Sequence, residues 1–295
     1  MTTNTSDLQN IARQIRRMMI EALRPQESHH IGCSLSIVEI LTYLYFRSLK
    51  IFPQNPENPN RDIFILSKGH AALALYAVLS LKGFLPKSTF LTYDLNGSKL
   101  AEHISNSVPG VEVSTGSLGH GLSIAAGFAT SFLNDNKKNK VYVLLSDGEF
   151  NEGSTWEAIM YAGHHRLHNL TAIVDLNGFQ AYAKTSRVIN LSPLSQKIAS
   201  FNWDVYKING HNFSGLEKTF NAIKKSKSLK PKCIIARTIK GKGVPFFEGK
   251  FESHYLSVTE MQKKEILEEL ESAAKPSVVI PAKAGIYMDP RSGRG

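Results

Sequence analysis

Two short polar clusters, each at the end of an apolar run, are where this 295-residue chain could do chemistry. Asp147-Gly148-Glu149 closes the run Val141-Tyr142-Val143-Leu144-Leu145-Ser146, and Asp175-Leu176-Asn177-Gly178 closes Thr171-Ala172-Ile173-Val174. Each run reads as a buried parallel strand. Between them, residues 151 to about 165 carry helical apolar spacing at Trp156, Ile159, Met160 and Gly163. Strand, helix and strand in that order put Asp147 and Asn177 at the carboxyl ends of neighbouring parallel strands, where open α/β sheets bind ligands. The Asp147 carboxylate, the Asn177 amide oxygen and a nearby backbone carbonyl, that of Phe179, are hard oxygen ligands. They suit a Mg²⁺ that takes its remaining positions from diphosphate oxygens and water.

The elements that must hold these residues follow from periodicity. Residues 7 to about 23 read as an amphipathic helix with Leu8, Ile11, Ile15, Met18, Met19 and Ala22 on one face, ended by Pro25. Residues 35 to about 49 read as a second helix, stopped by the Pro- and Asn-rich stretch 53–59. A short strand over 62–66 leads into a helix from 69 to about 82, and 84–109 reads as irregular. Residues 118 to about 133 read as a helix whose Gly121, Ala125, Ala126 and Ala129 permit close packing. Strands over 203–208 and 232–238 flank a helix from about 214 to 225. A last helix starts at Ser257 or Thr259, because Ser257-x-x-Glu260 and Thr259-x-x-Gln262 both fit a capping box, and it ends before Pro276. The expected fold is α/β, a parallel sheet with helices on both faces, as one domain over residues 1–275. A disordered or strand-exchanging tail is expected over 276–295.

Composition narrows the function classes. A net charge of +10 invites a nucleic-acid reading. Yet the basic residues are scattered, and no basic run is interleaved with aromatics. Anionic ligands account for part of the excess. No stretch of 18 or more apolar residues is present, the polar start lacks a signal-peptide pattern, and Cys33 and Cys233 form no disulfide framework. A cytoplasmic setting is expected. His164 and His168, four apart on the expected helix, are a possible metal pair with no third ligand in view.

Further motifs carry a family resemblance. The Asp-Gly followed by Asn resembles the thiamine-diphosphate signature. Ser28-His29-His30-Ile31-Gly32 is similar to the early Gly-His-Pro-Gly of transketolases, and Arg61-Asp62 through Leu66-Ser67-Lys68-Gly69-His70 to their Asp-Arg…Leu-Ser-x-Gly-His. Pro109-Gly110-Val111-Glu112 through Gly116-Ser117-Leu118-Gly119-His120-Gly121 resembles a third motif, and Asn209-Gly210-His211 and Thr238-Ile239-Lys240-Gly241-Lys242-Gly243 extend the match. The resemblance runs from His30 to about His254 and covers the cofactor-diphosphate-binding third of a transketolase, whose full chain is roughly twice as long.

The resemblance implies roles. Thiamine diphosphate carries the carbanion chemistry, while the protein holds its conformer, binds its diphosphate and moves protons on sugar hydroxyls, work that suits histidine. His30 and His254 are implied near the thiazolium and the reacting carbonyl, His103 on a donor hydroxyl, and His70 at the diphosphate end. Gly116, Ser117 and Leu118 are implied beside the aminopyrimidine, with Asp147, Gly148, Glu149 and Asn177 holding the diphosphate and Mg²⁺. Glu152 matches a glutamate that links two active sites across the family's dimer; as an acidic residue in a first helical turn it is also favoured by the helix dipole.

Several positions depart from the family pattern. Ser146 replaces the first glycine of Gly-Asp-Gly, Ile31 a proline, His120 a glutamine, and Glu102 and Ile104 replace the residues around His103. None removes a Mg²⁺ ligand. The expected function is the cofactor-binding subunit of a split transketolase, transferring a two-carbon ketol unit from a ketose to an aldose. It would need a separate subunit carrying the pyrimidine-binding and C-terminal domains, in a dimer of heterodimers. Alternatives are a subunit of a 1-deoxy-xylulose-phosphate synthase-like enzyme or of a 2-oxo acid decarboxylase, or a non-catalytic scaffold.

Overall fold

The computed structural model describes residues 4–27 and 29–272. Five parallel strands form one sheet in the order β1-β2-β3-β5-β4: β1 Ile63–Leu66, β2 Val141–Ser146, β3 Leu170–Leu176, β4 Asp204–Asn209 and β5 Lys232–Arg237. The β2 and β3 runs pair in register from Val141↔Leu170 to Ser146↔Asp175. The helices are α1 Thr5–Ala22, α2 Ile31–Leu35, α3 Val38–Tyr43, α4 Ala72–Lys82, α5 Lys87–Phe90, α6 Gly121–Asn134, α7 Gly153–His164, α8 Thr185–Val188, α9 Leu194–Ser200, α10 Phe213–Lys225 and α11 Glu260–Ser272.

Alternation along the strands builds two cores, as period-two side chains require. Phe64, Leu66, Tyr142, Leu144, Ile173, Ile234 and Ala236 pack on one face with α1, α3, α4 and α10. Ile63, Ile65, Val141, Val143, Leu145, Ala172, Val174, Cys233 and Ile235 pack on the other with α6, α7 and α9. Helices on both faces are as expected. From β3 the chain passes through α9 to the edge strand β4, then returns through α10 on the opposite face to β5.

α1 buries the expected Leu8, Ile15, Met18, Met19 and Ala22, with Ile11 partly covered, and Asn4 caps it through a box with Asp7. It also buries Arg16, whose guanidinium pairs with Glu39 at 2.7 Å and donates to the Lys242 carbonyl at 2.8 Å. At the start of α6, a Cβ on Gly121 would collide with Ser67, so the small-residue reading of that helix reflects a real approach to β1. Thr259 and Gln262 form the expected capping box, with Thr259 N–H donating to Gln262 Oε1 at 2.9 Å and Gln262 N–H to Thr259 Oγ1 at 3.2 Å.

Three expectations need correction. The second helix is not one rod from 35 to 49. It begins at Ile31, breaks at Ser36-Ile37, resumes as α3 and ends in a π turn over Leu44–Ser48. The Ser36 hydroxyl causes the break by bonding both the Cys33 carbonyl at 2.9 Å and Asp175 Oδ2 at 2.7 Å, in competition with the helical backbone. His164 and His168 do not share a helix face, because α7 stops at His164 and Arg166 turns left-handed at φ 50°. Finally, α8 and α9 lie in residues 178–202, for which periodicity gave no element. The tail expected over 276–295 lies outside the described residues.

Candidate active site

The carboxyl ends of β1, β2 and β3 border one cavity of about 510 Å³, closed on the far side by the loop that carries His254 and Tyr255. Asp147 lies fully buried beneath it, just past β2. Its Oδ2 accepts hydrogen bonds from Gly178 N–H at 2.9 Å and the Thr185 hydroxyl at 2.8 Å, while its Oδ1 is buried without a partner. Burial pushes this carboxyl up to about 6, against the Thr185 hydrogen bond. A buried anionic oxygen without a donor costs free energy that a divalent cation would recover. Asn177 is held by its neighbours: Nδ2 donates to Asp175 Oδ2 at 3.0 Å and Oδ1 accepts from Phe179 N–H at 3.0 Å. Among the described residues no group of three or more His, Cys, Asp or Glu side chains comes together as a metal site. The Asp147, Asn177 and Phe179 set contains a single carboxylate, and what fits a Mg²⁺ there is the orphaned Oδ1.

Asp175 ties this end of the sheet together. Its carboxylate accepts from the Ser36 hydroxyl, the Thr238 hydroxyl, the Asn177 amide and the Lys68 ammonium. Lys68 and Asp175 are both fully buried. Burial opposes each charge, yet their mutual attraction raises the lysine and lowers the aspartate, so the pair stays ionised.

Above this floor the four motif histidines converge. The His30 ring lies 4.9 Å from His254, 5.3 Å from His70 and 5.6 Å from His103, centroid to centroid. Local folding explains the convergence. Ile104 N–H donates to the Gly69 carbonyl at 3.1 Å and Thr115 N–H to the Ile104 carbonyl at 3.2 Å, stapling His103 between His70 and Gly116. A Cβ on Gly116 would stand 3.1 Å from the His103 ring, so glycine permits the approach. Gly241 N–H donates to the Gly32 carbonyl at 2.9 Å, bringing Lys240 beside α2. His211 braces the same loop, with Nδ1 on Glu39 at 2.8 Å and Nε2 accepting from Ile239 N–H at 2.8 Å.

The rings differ in their partners. His30 Nδ1 lies 2.7 Å from Glu102 Oε1. His254 Nδ1 lies 3.0 Å from Lys240 Nζ and 3.3 Å from Cys33 Sγ. Burial and then the Lys240 charge push His254 down to about 3. Burial, reinforced by Lys68, holds His70 well below the ordinary histidine range. Both imidazoles are neutral at pH 7.

Of the sequence-derived residues, His30, His70, His103, His254, Gly116, Leu118, Gly148, Asn177 and Phe179 line the cavity, as does Glu152 at the cap of α7. Ser117 is exposed and does not line it. Glu149, expected among the cofactor contacts, is turned into the protein. Its carboxylate accepts from Ser67, from Gly119 N–H at 3.1 Å and from Ser146 N–H at 2.8 Å, bracing the glycine loop against β1 and β2. Ser146 caps that turn with Glu149. Sequence reasoning missed Lys68, Lys240, Cys33 and Glu102 as site groups. The available signal was a lysine directly after an apolar strand in Leu66-Ser67-Lys68, and again in Thr238-Ile239-Lys240. The mouth of the cavity is rimmed by exposed apolar groups: Tyr182 is 86% exposed and Val188 41%.

Comparison with known proteins adds context. The family described as "Transketolase, thiamine diphosphate binding domain" matches residues 8–292. The chain is 41% identical over 272 residues to the 6-deoxy-6-sulfo-D-fructose transketolase subunit SqwG of Clostridium sp. (strain MSTE9), covering 92% of this chain and 98% of that protein. It is 38% identical over 270 residues to an apulose-4-phosphate transketolase subunit from Phocaeicola vulgatus, covering 92% and 95%. The crystal structure of transketolase from Campylobacter jejuni superposes with a TM-score of 0.85 at 32% identity, covering 91% of this chain but 43% of that one.

Proposed function

The chain belongs to the transketolase family, and from that premise we propose that it is the thiamine-diphosphate- and Mg²⁺-binding subunit of a split transketolase. The observation that carries the reading is the convergence of His30, His70, His103 and His254 around one cavity, above a buried Asp147 with an unpaired oxygen. Asp147, Asn177 and the Phe179 carbonyl would hold the cation, and the cation the diphosphate. Gly148 and Gly116 leave space along the cavity wall, and Leu118 offers apolar support. Bound thiamine diphosphate supplies the nucleophilic carbon. The chain's residues position the ketose and move protons at its oxygens: His103 binds a donor hydroxyl, while His30 and His254 face the reacting carbonyl.

A partner completes the site. The relatives that this chain covers almost entirely are named as subunits, whereas the chain spans less than half of the solved transketolase. The exposed Tyr182 and Val188 at the mouth are a rim for such a partner to cover. We propose that the pyrimidine-binding and C-terminal domains reside on it and that the assembly is a dimer of heterodimers. The donor is a ketose bearing an anionic group, in keeping with the sulfosugar and sugar-phosphate names of the relatives. No helix among the described residues is long and apolar enough to cross a membrane, and both cysteines are free. A cytoplasmic enzyme is our reading. The test is donor choice by the assembled enzyme. Hydroxypyruvate should support ketol transfer and pyruvate should not; turnover with pyruvate alone would favour a decarboxylase subunit instead.

A further inference from the structure

Two imidazoles face each other across the cavity with opposite partners on the same ring atom. The His30 Nδ1 contact, at 2.7 Å, is to a carboxylate oxygen. The hydrogen bond to His30 holds Glu102 below the ordinary carboxylate range, so this group is an acceptor only. The proton in that contact therefore sits on His30 Nδ1, which in the neutral imidazole leaves Nε2 with a lone pair. The His254 Nδ1 contacts, at 3.0 and 3.3 Å, are to an ammonium and a thiol, and burial raises the thiol so that it keeps its proton. Nδ1 must accept there, which puts the proton of neutral His254 on Nε2. The same logic runs through His211, which accepts at Nε2 from Ile239 and so donates from Nδ1 to Glu39.

We propose that Glu102 is a positioning residue that fixes His30 as a proton acceptor at Nε2, while Lys240 fixes His254 as a proton donor at Nε2. The two rings, 4.9 Å apart, then divide one task. A substrate hydroxyl gives its proton to His30 Nε2, and the resulting imidazolium is neutralised by Glu102. A substrate oxygen gaining negative charge receives a hydrogen bond, and then the proton, from His254 Nε2. His70, His103 and Tyr255 pack against these rings, and the charged groups that face them from other elements are Glu102 beside His30 and the cations Lys240 and Lys68, both of which disfavour a second proton on His254. Glu102 stands where the family pattern has a different residue beside the histidine. The proposal rests on the split-transketolase reading for its substrate, but the tautomers can be read without it.

The experiment uses the full chain labelled with ¹⁵N in its histidine rings and long-range ¹H–¹⁵N correlation at neutral pH. The wild type should show the proton of His30 on Nδ1 and that of His254 on Nε2. Glu102→Ala should release His30 to a mixture of tautomers without altering His254, and Lys240→Met should do the converse. In the assembled enzyme, Glu102→Ala should lower kcat about 100-fold with KM little changed, at the low end of the ~10²–10⁴ that a positioned acid–base group contributes. A His30 proton on Nε2 in the wild type, an unmoved tautomer in Glu102→Ala, or an effect confined to KM would each overturn the proposal. Correct tautomers in an assembly without ketol transfer would instead overturn the functional reading and leave this one standing.

Discussion

Replacing Asp147 by asparagine should stabilise the chain while abolishing its response to Mg²⁺ and cofactor. In the wild type one carboxylate oxygen is satisfied by Gly178 and Thr185, and the other is buried with no partner. Asp147→Asn keeps a carbonyl oxygen for Gly178 and Thr185 and removes the charge. An unsatisfied buried polar group costs about 1–3 kcal/mol, more when charged. The amide N–H₂ that replaces Oδ1 is itself without an acceptor, so only the excess cost of the charge is recovered, and unliganded Asp147→Asn should be more stable by roughly 1 kcal/mol, or about 2–4 °C in Tm by the scaling of domains somewhat smaller than this one. The ligand response has the opposite sign. Ligand at a hundred times its Kd stabilises a protein by ~2.7 kcal/mol, and the assembled wild-type enzyme should gain that much with Mg²⁺ and thiamine diphosphate together. The variant loses a carboxylate ligand and presents an amide N–H₂ to the cation, so it should gain almost nothing. Differential scanning fluorimetry, on the chain without ligand and on the assembly with it, reads both. A variant that kept the Mg²⁺-dependent rise, or whose unliganded form was destabilised, would refute the assignment of Oδ1 to a cation.

His103→Ala should lower turnover about tenfold, the weight of one hydrogen bond to substrate of up to ~1.5 kcal/mol, with cofactor affinity by calorimetry unchanged; equal losses in both would move His103 onto the cofactor. Lys68→Met should destabilise the chain by about 3 kcal/mol in urea, the low end for breaking a buried pair, because Asp175 keeps its donors Ser36, Thr238 and Asn177; a cost under ~1 kcal/mol would mean that the pair does not stay charged. Since His254 titrates near 3 when folded and near 6.5 when unfolded, its burial carries no penalty above pH 6.5. Stability is lost as pH falls from there towards 3, by at most ~1.4 kcal/mol per pH unit. The acid limb of an unfolding profile should accordingly be shallower in His254→Asn, and an unchanged slope would contradict the burial of that ring as a neutral group.

The strands that set the site were legible because each is a short, continuous apolar run ending in polar turn residues. That pattern alone put Asp147 and Asn177 at adjacent strand ends, where the sheet has them. The gathering of four histidines was legible only through family resemblance, since nothing local in residues 30, 70, 103 and 254 says that they meet. What stayed hidden depends on partners far along the chain. The break in the second helix needs Asp175, 139 positions from Ser36, and the orientation of His30 needs Glu102, 72 positions away. Arg16 reads as a surface charge on an amphipathic helix until Glu39 and the Lys242 carbonyl are present to receive it. Glu149, expected among the cofactor contacts, has its carboxylate taken up by Ser67, Gly119 and Ser146, partners that its own motif does not announce.

The central claim, that this chain is the cofactor-binding half of a divided active site, is tested most directly by reconstitution. Purified chain is assayed for ketol transfer with thiamine diphosphate, Mg²⁺ and a range of ketose phosphates and sulfonates, alone and then titrated with a chain carrying the pyrimidine-binding domain. The account predicts no transfer by the chain alone and activity that rises with the partner and saturates at one partner per chain. Robust turnover without the partner, or none at any ratio of the two chains, would contradict it.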